Sequence, residues 1–215
     1  MEKRRYSLFD QFIFEFDKRL KKIEKKKKTR NYRPYPAKTV PEAVLTSEEK
    51  QHVAGLMRVN HAGEIAAQAL YKAQALASRN HEIKRTLQES AEEEYDHLHW
   101  CETRLKELDS HTSYLEPVWF TGSFAIGLAA GSFGDRWNLG FLAETEHQVV
   151  EHLDEHLRKL PQQDQKSRAI LEQMQRDEAH HANTAESAGA YQLPRPVRDL
   201  MALTSQVMKK TAYRF

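Results

Sequence analysis

A chain of 215 residues that is 40% hydrophobic and 30% charged reads as soluble and globular, sized for one ordinary domain with an appendage. Eight glycines and seven prolines are too few for a turn-rich β protein, and the lone Cys101 excludes an internal disulfide framework and suggests a reducing compartment. The net charge of +2 hides an asymmetry: residues 1–40 carry fourteen Lys/Arg against five Asp/Glu, net +9, and residues 41–215 carry nineteen against twenty-six, net −7. An acidic domain thus bears a basic arm, which could meet an anionic membrane surface, an acidic partner or nucleic acid.

In chain order, residues 7–27 are expected to form an amphipathic helix, with Leu8, Phe9, Phe12, Ile13, Phe16, Leu20 and Ile23 at helical spacing and lysines crowding its second half. Such a helix suits a membrane interface, and equally a helix docked on its own domain with a solvated lysine tail. The N-terminus lacks an apolar core followed by small residues, so no secretory signal is expected. Pro34, Pro36 and Pro41 mark a linker over 31–45. Residues 1–45 are therefore set apart, as basic arm and linker, from a domain over 46–215.

Thr46-Ser47-Glu48-Glu49 reads as a helix start. Helices are predicted over 47–78, 81–109, 117–134, 137–160, 164–190 and 195–211, with breaks at Asn80, Asp109-Ser110, Gly134-Asp135, Pro161 and Pro194. No period-2 pattern competes, so the fold class is all-α.

Four acids fall inside the apolar stripe of their helix. Glu64 lies between Asn60 and Ala67, Glu94 between Ala91 and Leu98, Glu146 between Leu142 and Val149, and Glu178 between Met174 and His181. His97 and His181 each sit one turn beyond a striped glutamate. Glu92 and Glu93 are expected to point elsewhere. The chain therefore carries one pattern twice: a lone Glu64 then Glu94-x-x-His97, and a lone Glu146 then Glu178-x-x-His181. A single E-x-x-H arises readily by chance; two, each preceded by a striped glutamate at nearly equal distance, do not.

Burying an unpaired carboxylate costs several kcal/mol, and four together raise one another's pKa. Two divalent ions supply the compensating +4. Four carboxylates and two imidazoles are the ligand set of a ferritin-like four-helix bundle with two metal ions, and oxygen and nitrogen donors without thiolate favour iron or manganese over structural zinc. His152, six residues after Glu146, is a candidate hydrogen-bond partner just outside that set. His61, His99, His147, His156 and His180 are expected at the surface or around the site.

Pro117–Gly134 carries no charge across eighteen residues. As a helix it would be roughly 27 Å long, but a single span would separate Glu64, Glu94 and His97 from Glu146, Glu178 and His181 across a bilayer. Buried core, an apolar wall opening toward lipid, and a re-entrant hairpin remain as readings.

Asn60-His61-Ala62-Gly63-Glu64, Glu94-Tyr95-Asp96-His97-Leu98, Glu146 with His152, and Asp177-Glu178-x-x-His181 resemble the demethoxyubiquinone hydroxylase family over about residues 50–215. The resemblance implies a ferritin-like bundle with an apolar crossover helix and extra terminal helices. It also implies a di-iron monooxygenase, peripheral on the cytoplasmic face of the cell membrane, that uses O2 to hydroxylate the ring of a polyprenyl quinol, 3-demethoxyubiquinol, to 3-demethylubiquinol. The two iron ions would be held by Glu64, Glu94, His97, Glu146, Glu178 and His181, with Glu94 and Glu178 bridging. No nucleotide-binding glycine pattern is present, so an external electron donor is expected, together with possible contacts to other ubiquinone-biosynthesis proteins. Two rivals remain: ferritin-like iron oxidation and storage, which uses the same ligands, and a non-catalytic membrane adaptor, which would not need Glu64, Glu94, Glu146 and Glu178 in four apolar stripes. Nucleic-acid binding is not expected, because aromatic residues are sparse among the lysines of 18–33 and the main domain is acidic.

Overall fold

The computed structural model describes residues 30–215, so the amphipathic helix expected over 7–27 lies outside the described residues. Pro34–Phe215 form one compact unit. Its elements are α1 (Ser47–Ala77), α2 (His81–Glu107), α3 (Glu116–Ser132), α4 (Asp135–Lys159), α5 (Gln165–Ser187) and α6 (Arg195–Ala212), with no strand among the described residues.

Local chemistry sets the boundaries. Thr46 and Glu49 close a reciprocal capping box on α1, with Glu49 N–H donating to Thr46 Oγ1 at 3.2 Å and Thr46 N–H to Glu49 Oε2 at 2.8 Å. Asn80 caps α2 by accepting from the Glu82 and Ile83 amides. Gly134, at φ +106°, makes the sharp turn from α3 into α4. Asp164 caps α5 through the Ser167 amide.

The α1–α2 and α4–α5 hairpins form the four-helix bundle, and α3 crosses between them along α1. Close approach of α3 depends on glycine: a Cβ on Gly127 would lie 2.5 Å from the Leu70 carbonyl oxygen, and one on Gly131 would lie 2.6 Å from Ala77 Cβ. The other side of α3 is not core. Val118 is 57% and Ile126 42% exposed, so the buried-core reading of the uncharged segment is overturned. No helix among the described residues is long and apolar enough to cross a membrane.

Two apolar slabs fill the bundle. One gathers Leu56, Met57, Trp100, Leu105, Leu153 and Met174; the other gathers Leu70, Leu87, Leu139, Leu142 and Ala185. On each bundle helix the striped acid falls between its contributions to the two slabs, so the slabs enclose a polar slice. Ahead of α1, Ala37 is fully buried in the first slab. Arg104, also fully buried, pins this stretch by bonding Glu42 at 2.8 Å, and it reaches Asp164 at 2.9 Å and Glu107 at 3.0 Å.

Candidate metal centre and the cavity beside it

Glu64 comes from α1, Glu94 and His97 from α2, Glu146 from α4, and Glu178 and His181 from α5. All six are at most 5% exposed. One ligand atom each from Glu64, Glu94, His97 and Glu178 lies within 4.8 Å of the others, and the same holds for Glu94, Glu146, Glu178 and His181. The two groups share Glu94 and Glu178. Each group adds one further carboxylate, Glu64 in the first and Glu146 in the second, so the six residues together would hold a pair of ions.

Both histidines turn Nδ1 into the cluster. His97 Nδ1 lies 2.9 Å from Glu178, 3.1 Å from Glu94 and 3.5 Å from Glu64. His181 Nδ1 lies 3.0 Å from Glu178 and 3.5 Å from Glu146. Their outer nitrogens cross-pair the helices: His97 on α2 meets Asp177 of α5 at 3.0 Å, and His181 on α5 meets Glu93 of α2 at 2.9 Å. Each outer partner directly precedes a shared glutamate. Glu93 therefore does not point elsewhere. The doubled acids Glu93-Glu94 and Asp177-Glu178 were the available signal, but only the approach of α2 and α5 gives it meaning.

The electrostatics describe a site short of positive charge. Burial, reinforced by Glu178 and Glu64, pushes the Glu94 carboxyl well above the usual range. Burial and Glu178 raise Glu146 to about 8, against the opposing pull of His181. Burial also pushes Glu178 upward, but His97 and His181 outweigh it and hold that carboxyl low. Both oxygens of Glu146 and one each of Glu94 and Glu178 lack a well-formed hydrogen bond. Orphaned, buried oxygen donors beside two inward Nδ1 atoms fit divalent metal ions. Tyr71, one turn beyond Ala67 on α1, is fully buried with its hydroxyl near Glu146, and burial followed by Glu146 raises its pKa well above normal. Its place in the α1 stripe was legible; its closeness to the acids was not.

His152 shares a cavity wall with Glu64, and its hydrogen bond goes to Asn60. Its Nε2 meets Asn60 Oδ1 at 3.0 Å, and its ring stacks edge-on against His156 at 4.0 Å. His156 and His61 are buried rather than at the surface. The His61 ring nitrogens each lie 3.6 Å from a carboxylate, Glu102 on α2 and Glu116 at the start of α3. His147 is exposed and paired with Glu186 at 2.8 Å.

Beside the centre lies a cavity of about 450 Å³ whose wall includes Glu64, Asn60 and His152. Trp119 and Ile126 of α3 and Met201 and Met208 of α6 complete its apolar sides. The cavity thus joins a candidate ligand on α1 to the two helices that carry much of the exposed apolar surface.

Residues 51–212 match the family model described as "Ubiquinone biosynthesis protein COQ7". The chain belongs to the COQ7 family. Within this family it is 52% identical over 209 residues to the 3-demethoxyubiquinol 3-hydroxylase of Polynucleobacter necessarius, covering 97% of this chain and 99% of that one. It is 53% identical over 207 residues to the enzyme of the same name from Azoarcus sp., covering 96% and 100%. The correspondingly named protein of Nitrosococcus oceani is 50% identical over 213 residues, 99% of either chain. The COQ7 match takes in all six clustered residues together with Glu93, Asp177 and the cavity wall.

Proposed function

We propose that this chain is a di-iron monooxygenase that hydroxylates the ring of 3-demethoxyubiquinol to give 3-demethylubiquinol. The observation that carries the reading is the pair of overlapping Glu/His groups sharing Glu94 and Glu178, in a chain about half identical to proteins named for that activity. Glu64, Glu94, His97, Glu146, Glu178 and His181 would hold two iron ions. Bound iron supplies the redox chemistry that activates O2.

The net reaction sets what the protein must arrange. One oxygen atom of O2 enters a ring C–H bond and the other leaves as water, which consumes two electrons and two protons from an external donor. The polypeptide contributes position and dryness. Asp177 and Glu93 orient the two imidazoles by accepting from their outer N–H groups. The apolar slabs keep bulk water from the polar slice. Asn60 and His152, hydrogen-bonded to each other on the cavity wall, offer polar contacts to quinol hydroxyls.

A polyprenyl substrate resides in lipid, and the exposed apolar residues support entry from there. Leu200 at 63%, Leu203 at 59% and Val207 at 55% exposure lie on α6, which also carries Arg195, Arg198, Lys209 and Lys210. An amphipathic helix with basic flanks suits the surface of an anionic bilayer. We therefore read the protein as peripheral on the cytoplasmic face of the cell membrane, with α3 and α6 toward lipid and a separate protein or NADH as the electron source.

The test is hydroxylation under ¹⁸O2 by the purified, ferrous-loaded protein supplied with a reductant and 3-demethoxyubiquinol. The expected product carries one labelled hydroxyl per ring. Oxidation of iron with no labelled quinol would instead favour the ferritin-like alternative.

A further inference from the structure

Six of the eight glycines have a packing or backbone reason to lack a side chain. Gly134 and Gly189 have positive φ, and a Cβ on Gly55, Gly127, Gly131 or Gly140 would collide with a neighbouring ring, methyl group or backbone. Gly63 and Gly122 have neither reason. Both lie inside helices at ordinary φ, and a Cβ on either would meet no heavy atom within 4 Å. Glycine in a helix interior is less stable than alanine. Both line the same cavity, and Gly63 is bonded directly to Glu64.

We infer that Gly63 and Gly122 are volume-determining residues of the substrate cavity, Gly63 leaving room for the quinol ring beside the metal centre and Gly122 for the tail passing along α3. The inference rests on the cavity being the quinol site. Gly63 occupies the ring end because its chain neighbour is a candidate metal ligand. Gly122 occupies the outer end because it is exposed on the helix that carries Val118 and Ile126. Filling either position therefore obstructs the ligand while sparing the fold. Stability and substrate affinity move in opposite directions, which a purely structural glycine does not produce.

The experiment compares Gly63→Ala, Gly63→Leu and Gly122→Leu with the parent protein. Melting temperature and iron content are measured first. All three variants are expected to melt at or above the parent temperature; a fall of several degrees in Gly63→Ala would overturn the inference, because the methyl would then not be in open space. Binding of oxidised demethoxyubiquinone is next followed on metal-free protein by quenching of tryptophan fluorescence, since Trp119 lines the cavity. Gly63→Leu is expected to weaken binding of both a polyprenyl and a methyl-tailed quinone about tenfold, and Gly63→Ala a few-fold. Gly122→Leu is expected to weaken only the polyprenyl form. Parent-like binding of both quinones by all three folded variants overturns the proposal. Failure of the parent protein to hydroxylate the quinol, with these binding differences intact, would instead remove the monooxygenase reading and leave the cavity assignment standing.

Discussion

Asp177 and Glu93 carry the most specific residue-level consequence of the structure. Each lies next to a shared glutamate in sequence but holds the histidine of the opposite helix. Carboxylate partners of ligating histidines typically set metal affinity by about 10–100-fold. Asp177→Ala should weaken ferrous binding by that order while leaving the helical circular-dichroism signal unchanged, and calorimetric titration checks it. His156 supplies a pH prediction. Burial, then the charges of Lys159 and Lys209, depress its pKa to about 3, against about 6.5 in the unfolded chain. Between these values the unfolded state binds the extra proton, so stability falls as pH drops below about 6.5. The loss from pH 7 to pH 5 is about 2 kcal/mol. Denaturant melts should show this slope reduced in His156→Gln relative to the parent protein, where contributions common to both cancel. At this scale the sequence told much about the stripes and little about their surroundings. Glu64, Glu94, Glu146 and Glu178 stood out because an acid interrupting an apolar stripe is visible from spacing alone. Glu93 was misplaced because it lies one residue off its stripe, where only the packing of α2 on α5 reveals a partner. The burial of His61 was equally hidden, since it requires the start of α3 to fold back over α1 and α2.

Among the elements, α3 and α6 line the cavity and carry exposed apolar residues, and they are the helices we propose meet lipid and substrate. Helix starts and stops were legible to within a few residues because Thr46, Asn80, Gly134 and Pro194 carry their own local chemistry. The orientation of α3 was not legible. It is apolar all round, so no stripe distinguishes its buried side, and the contacts of Gly127 and Gly131 with α1 make the choice. Val118 and Ile126 of α3 and Leu200 and Val207 of α6 are exposed and also line the cavity. Leu203 is 59% exposed and is not part of the cavity wall. On the proposed peripheral reading, replacing it alters membrane attachment without altering the site. Leu203→Glu is expected to reduce co-sedimentation with anionic vesicles several-fold at unchanged iron content; equal sedimentation would remove α6 from the membrane-facing surface.

At the scale of the whole molecule, the fold is two apolar slabs with a polar slice between them. The slabs stabilise the bundle by burying side chains of about 1.5–3 kcal/mol each. The slice opposes them, because four carboxylates compete for two imidazoles and leave oxygens without donors. An arrangement so short of positive charge suits a receptacle for cations, and the two groups that share Glu94 and Glu178 match the pair of irons we propose. Anaerobic titration of the metal-free protein with ferrous iron, read by metal content per chain after desalting, tests this most directly. Two irons per chain, with loss of at least one in Glu178→Ala, is the predicted result. Fewer than about one iron per chain in the parent protein, or a Glu178→Ala variant that loads like the parent, would contradict it.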